Sequence, residues 1–299
     1  MKRRAQRAVL GPLAAAVAFL AADSLLGHGY HESTSASVIV TRPSTPIVDE
    51  ALVVFPGYAS DGDVVSRAFA PYMRDGQAMI VVDYAQRGVD DAAIFRLTME
   101  QVRTLAPRRL RVFGGSMGGV VATRFLARYA TSPDRERFGP VVLVLDTAPA
   151  GMDTIKRPHW LFSLSAWYRG GPLTSTGWAL LSRFGARPSP EPGANHEVID
   201  EGDHRNAWVG VPALTTQAEY LATFRPDEIP QIGGIVLRGA YLQAASAGDD
   251  PLVRVDSAIA RWKAGLPTLT VVTIPGRRGS WHLPWTFRPR ETLTAANVV

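Results

Sequence analysis

Short apolar runs alternate with helix-spaced patterns along most of this chain. Strand-like runs fall at residues 37–41, 51–55, 78–83, 110–113, 141–145, 234–238 and 268–274. Several are continuously apolar, as strands buried on both faces must be. Helical spacing between them predicts helices over 63–74, 92–105, 119–129 and 256–264, the second with Ile94, Leu97, Val102 and Leu105 on its buried stripe. This alternation predicts an α/β fold, a mostly parallel sheet with helices on both faces. It lapses over 150–232, where aromatic helix-like segments at 160–168 and 177–184 precede a Pro-rich turn at 188–192 and a helical pattern near 218–224. So long a stretch between strands of one kind predicts an inserted helical lid within a single domain spanning 36–299. A separate domain is the weaker reading, because two more strands of the same type follow.

The first residues follow a different pattern. Lys2, Arg3, Arg4 and Arg7 precede an apolar run over 8–22, broken only by Gly11 and Pro12. A basic start followed by an apolar stretch is the pattern of an export signal. The run is shorter than the ~20 residues that span a bilayer, which suits a cleaved signal. Leu20-Ala21-Ala22 places a bulky residue where a cleavage site wants a small one, which suits a retained N-terminal anchor. Residues 1–22 are therefore expected to be a signal peptide or an anchor, with a secreted or cell-envelope location and membrane association through that segment.

Composition narrows the function classes. The chain has 299 residues, 46% hydrophobic and 20% charged, as a globular protein should. Its net charge of +5 looks like a nucleic-acid signal, but four of those charges lie in the first seven residues and the rest is nearly neutral. There is no cysteine, hence no thiolate nucleophile, disulfide or lipid-modified cysteine. Stability must come from core packing.

Gly114-Gly115-Ser116-Met117-Gly118-Gly119 directly follows the strand at 110–113 and opens the helix at 119–129. A serine on so sharp a strand-to-helix bend has its Oγ exposed and its backbone strained. Glycines at 114 and 118 let neighbouring backbone approach closely. A plain Gly-rich turn is the bland alternative. A phosphate-cradling loop is disfavoured, because no Lys-Ser/Thr pair follows the glycines.

A serine hydroxyl needs a base to take its proton, and the base needs a carboxylate to orient it. His28 and His31 lie in a polar link at 28–35, and His159, His196 and His204 lie in the insertion. Only His282 follows a predicted core strand, delivered by a short loop at 277–281. For the acid, Asp249 and Asp250 sit in the loop after the strand at 234–238. Asp250 is preferred because Pro251 sets the turn and Val253 re-enters the core. Asp249 is the runner-up, and Asp146, at the end of the strand at 141–145, is a third candidate. A solvated Asp-Pro turn is the bland reading of that loop. An oxyanion hole is expected from the backbone N–H of Met117 and, after the strand at 51–55, that of Tyr58 beside Gly57.

Strand, Pro-Gly loop, Gly-x-Ser-x-Gly-Gly bend, later Asp and final His together resemble the α/β-hydrolase family over residues 37–285, in the order Ser, Asp, His. The resemblance implies the α/β-hydrolase fold, the insertion in the lid position, and a serine hydrolase of the esterase or lipase type acting through an acyl-enzyme on Ser116. It departs from the family at Phe55-Pro56-Gly57, where many members have His-Gly, and at Arg277, Arg278 and Trp281, which crowd the histidine loop. An acyltransferase using the same triad, cofactor-free haloperoxidase chemistry and a non-catalytic binding protein of this fold are the alternatives.

No cofactor is expected, since no dinucleotide or flavin fingerprint occurs. His196, Glu197, Asp200, Glu201, Asp203 and His204 have metal-ligand residue types, but their spacing matches no recognised site and a polar lid loop explains them as well. The expected partner is a small-molecule or lipid ester, not nucleic acid. Trp160, Leu161, Phe162, Leu164, Trp167 and Tyr168 are too apolar for a solvated helix and are expected to pack on the core or to line a pocket above Ser116.

Overall fold

The computed structural model describes residues 2–31, 36–58, 60, 62–84, 89–156, 168, 170–174, 176, 211–245, 248, 250–275, 282–286 and 288–299. Among the described residues seven strands form one sheet: β1 (Ser37–Thr41), β2 (Glu50–Phe55), β3 (Gln77–Asp83), β4 (Arg109–Gly115), β5 (Val141–Asp146), β6 (Val236–Ala244) and β7 (Leu269–Ile274). Their order is β1-β3-β2-β4-β5-β6-β7. Edge strand β1 runs antiparallel to β3, and every other pairing is parallel. The six parallel strands therefore share one carboxyl edge, where loops can converge on a site.

Alternate residues of the central strands feed two cores. Ala51, Val53 and Phe55 of β2 face a layer with α3 (Asp91–Leu105), α4 (Met117–Ala130) and α7 (Val255–Gly265). Leu52 and Val54 face the opposite layer with α2 (Gly62–Phe69) and the C-terminal helix α8 (Pro289–Val298). All six residues of β2 are buried, which accounts for the continuously apolar run from Ala51 to Phe55. A short helix, α5 (Asp134–Phe138), precedes β5. At the amino edge, Glu50 is 3% and Arg111 5% exposed. Arg111 donates from Nε and Nη2 to the two Glu50 carboxylate oxygens, each at 3.1 Å.

Three expectations need correction. The strand placed at 234–238 begins at Val236 and continues to Ala244, because its pairing with β7 extends through Gly239–Ala244 rather than ending at the first polar residue. The polar link placed at 28–35 starts later: α1 (Lys2–His31) runs through His28 and His31. Helix α8 was not anticipated; Pro289 supplies the pre-set first-turn φ, and Leu293 and Ala296 are buried in the second core. Among the described residues no helix is long and apolar enough to cross a membrane.

Of the stretch assigned to the lid, helix α6 (Val211–Ala222) packs against α4, and Leu221, Phe224, Ile229 and Ile232 join the first core. Tyr168 and Gly171 to Thr174 meet Asp23 of α1. The Asp23 carboxylate accepts from Tyr168 Oη at 2.8 Å, Leu173 N at 2.9 Å and Thr174 Oγ1 at 2.6 Å. The aromatic residues 160–167, the segment 177–184, the turn at 188–192 and His159 lie outside the described residues, as does the polar cluster from His196 to His204.

Candidate active site

The site is assembled on the carboxyl edge of the sheet from the ends of β2, β4, β5, β6 and β7. Ser116 lies between β4 and α4 with φ +46° and ψ −118°, a conformation that side-chain-bearing residues rarely adopt. The glycines around it are there for want of space. A Cβ on Gly118 would stand 1.9 Å from the Phe55 carbonyl oxygen, and one on Gly114 would stand 2.6 Å from Gly119 Cα. Any side chain at either position would drive α4 away from the sheet.

His282 and Asp250 converge on this serine. Ser116 Oγ lies 2.7 Å from His282 Nε2, and His282 Nδ1 lies 2.9 Å from Asp250 Oδ2. Asp250 is 1% and Ser116 8% exposed. The other carboxylate oxygen of Asp250 accepts the N–H groups of Leu252 and Val253, both at 2.8 Å, so the acid is held by its own loop. That loop is pinned by an antiparallel bridge between Ile155 and Val253, and Lys156 Nζ donates to the Asp250 carbonyl at 2.6 Å. Asp249 lies outside the described residues. A serine hydroxyl, an imidazole and a buried carboxylate joined in this order can move a proton off the hydroxyl and hold the resulting imidazolium.

Met117 follows Ser116 as the first residue of α4, where helix N–H groups lack intrahelical acceptors. Gly57 closes on the same point from β2: a Cβ there would lie 3.2 Å from the Gly115 carbonyl oxygen and 3.4 Å from Ser116 Cβ. The Pro56 carbonyl behind it accepts from buried Tyr84 Oη at 3.0 Å. Tyr58 follows, and its hydroxyl donates to the Leu214 carbonyl of α6 at 3.0 Å.

Asp146 stands at the end of β5 and does not contact His282 through its carboxylate. Instead Oδ2 accepts the Trp285 N–H at 3.3 Å, and Thr147 Oγ1 donates to Oδ1 at 3.4 Å. Complete burial, together with the charge of Asp250, pushes its carboxyl up to about 8, against the hydrogen bonds from Trp285 and Thr147. Thr147, Tyr84 and Lys156 escaped the sequence reading because each acts through backbone contacts with a distant loop, which leave no local pattern.

No family model and no curated protein matches this sequence. Solved structures do match its fold. An esterase from Exiguobacterium antarcticum aligns at 14% identity and TM-score 0.58, over 88% of this chain and 93% of that one. A thermophilic esterase from Thermogutta terrifontis aligns at 19% identity and TM-score 0.56, over 88% and 92%. A bromoperoxidase from Bacillus anthracis aligns at 13% identity and TM-score 0.58, over 90% and 98%. The sheet order, the strand-to-helix bend at Ser116 and these likenesses together establish that the chain has the α/β-hydrolase fold.

Proposed function

We propose that this protein is an exported serine hydrolase that cleaves carboxylic esters through an acyl-enzyme on Ser116. The observation that carries the reading is the continuous hydrogen-bonded chain from Ser116 Oγ through His282 to Asp250, starting on a residue at φ +46°. In the first half-reaction Ser116 Oγ attacks the ester carbonyl carbon while His282 Nε2 takes its proton. Asp250 holds the imidazole in the tautomer that leaves Nε2 free to accept. The carbonyl electrons move onto oxygen, which the N–H groups of Met117 and Tyr58 receive. Collapse expels the alcohol, protonated by His282. Water then enters, gives a proton to His282 and attacks the acyl carbon; the bond to Ser116 Oγ breaks, the acid leaves, and His282 returns the proton to Ser116 Oγ.

The likeness to esterases supports ester chemistry as the reaction class. Lys2, Arg3, Arg4 and Arg7 ahead of the apolar run at 8–22 support export, with residues 1–22 as signal or anchor. Reaction with a fluorophosphonate and turnover of p-nitrophenyl esters from acetyl to octanoyl test the chemistry. Ser116→Ala is expected to abolish both while the protein stays folded; normal turnover by that variant would overturn the mechanism. An N-terminal sequence read after cell fractionation tests export, and an intact Met1 in the cytoplasmic fraction would refute it.

A further inference from the structure

Among the described residues, three of the four non-glycine residues with positive φ meet at one point: Ser116 at +46°, Thr147 at +46° and Leu283 at +63°. They belong to three different strand ends, yet hydrogen bonds join them. Ser116 N donates to the Asp146 carbonyl at 2.8 Å. Leu283 N donates to Thr147 Oγ1 at 3.1 Å, and Trp285 N donates to Asp146 Oδ2 at 3.3 Å. Thr147 is itself anchored, its N–H reaching the Leu242 carbonyl of β6 at 3.0 Å.

We propose that Asp146 and Thr147 act as a positioning pair that sets the reach between Ser116 Oγ and His282 Nε2. The reasoning rests on the reading of Ser116, His282 and Asp250 as the reacting group. The dipeptide grips the serine from its main chain. With its two side chains it grips the backbone one and three residues beyond His282. Asp146 is fully buried and Thr147 is 1% exposed, so water does not replace these bonds when one is removed. Leu283 and Trp285 also pack in the second core, and the contact with Asp146 and Thr147 fixes the direction in which the backbone leaves His282. Without it, His282 can turn on Asp250 and drift from the serine. Both side chains are needed in their present chemistry: the Thr147 hydroxyl accepts from Leu283 while donating to Asp146, and the Asp146 carboxyl accepts from Trp285. Asparagine at 146 keeps one oxygen to accept from Trp285, and serine at 147 keeps the hydroxyl that accepts from Leu283, whereas alanine and valine keep neither.

The test measures kcat and KM for p-nitrophenyl butyrate, with active sites counted by fluorophosphonate titration. Thr147→Val and Asp146→Ala are expected to lower kcat per titrated site about tenfold to a hundredfold with KM nearly unchanged, since small misplacements of a catalytic group carry penalties of that order. Thr147→Ser and Asp146→Asn should recover most of the rate. A purely structural role would lower the number of titratable sites and leave kcat per site intact, and that outcome overturns the proposal. Should the valine variant fail to fold, Thr147→Ser and Asp146→Asn still decide. Per-site rates as low as those of Asp146→Ala in both would show that hydrogen bonding at these positions is not what matters. If Ser116→Ala itself turned over normally, the underlying triad would fall; if it were inactive while Thr147→Val kept full rate per site, only the positioning pair would.

Discussion

His282 Nδ1 lies 2.9 Å from Asp250 Oδ2, while the other oxygen of Asp250 is occupied by the N–H groups of Leu252 and Val253. The loop thus presents one carboxylate lone pair to the imidazole and fixes its direction. Asp250→Asn would offer an amide where an acceptor is required and select the wrong tautomer. A loss of about 10⁴ in kcat is expected for that change in such a triad. Asp249→Asn should stay within about twofold. Steady-state kinetics on the two variants check the assignment, and the reverse ranking would move the acid to Asp249.

Substitution of Gly118 should be far more damaging than its size suggests. Its Cβ would stand 1.9 Å from the Phe55 carbonyl oxygen, a backbone atom that cannot swing aside. Gly118→Ala is expected to give insoluble protein or to lose fluorophosphonate labelling. Gly248, where an added Cβ meets nothing within 4 Å, is the control; Gly248→Ala should label normally.

The buried carboxyl of Asp146 makes a prediction about stability and pH. Burial raises it to about 8 in the folded chain, against an ordinary value of 3.8. Between roughly pH 4 and 8 the unfolded chain releases a proton that the folded chain keeps, so this residue lowers stability as pH rises, by at most about 1.4 kcal/mol per pH unit. Above pH 8 both states are ionised and the effect levels off. Asp146→Asn removes the titration. Its Tm should therefore gain on the wild type as pH is raised from 4 to 8, and a constant difference across that range would contradict the assignment.

At the far edge of the sheet, Glu50 and Arg111 form a two-pronged buried pair, joined by Arg74 and Gln77, each at 2.8 Å from Glu50 Oε1. Burial pushes the Glu50 carboxyl up, but the hydrogen bond and charge of Arg111, with the hydrogen bond from Gln77 and the charge of Arg74, together hold it below its usual value. Glu50→Gln strands the Arg111 charge. A stability loss of about 3 kcal/mol is expected at neutral pH, shrinking in acid as the wild-type carboxylate is protonated. Because the pair lies at the end of the strands opposite Ser116, kcat per folded molecule should not change. Urea unfolding at two pH values, beside kinetics, separates these effects.

Much of the architecture was legible from local pattern. Continuous apolar runs marked the interior strands because both faces of a parallel sheet are covered, and the spacing of Ile94, Val102 and Leu105 marked α3 because one helical stripe is buried. The glycines at 114 and 118 marked the bend at Ser116, since a close backbone approach leaves a compositional trace. His282 was singled out as the candidate base by its place after the last predicted strand. What local pattern could not decide was any relation resting on a single contact between distant segments. Asp250 could be preferred over Asp249 on the strength of Pro251 and Val253, yet its 2.9 Å approach to an imidazole 32 residues away depends on how β6 and β7 are paired. Asp146, one of three acids the sequence left open, turns its carboxyl to the backbone of Trp285 instead of to His282, 139 residues away from its partner. Local order follows from periodicity and turn chemistry, which neighbouring residues carry; the direction of a buried side chain follows from packing, which only the assembled sheet supplies.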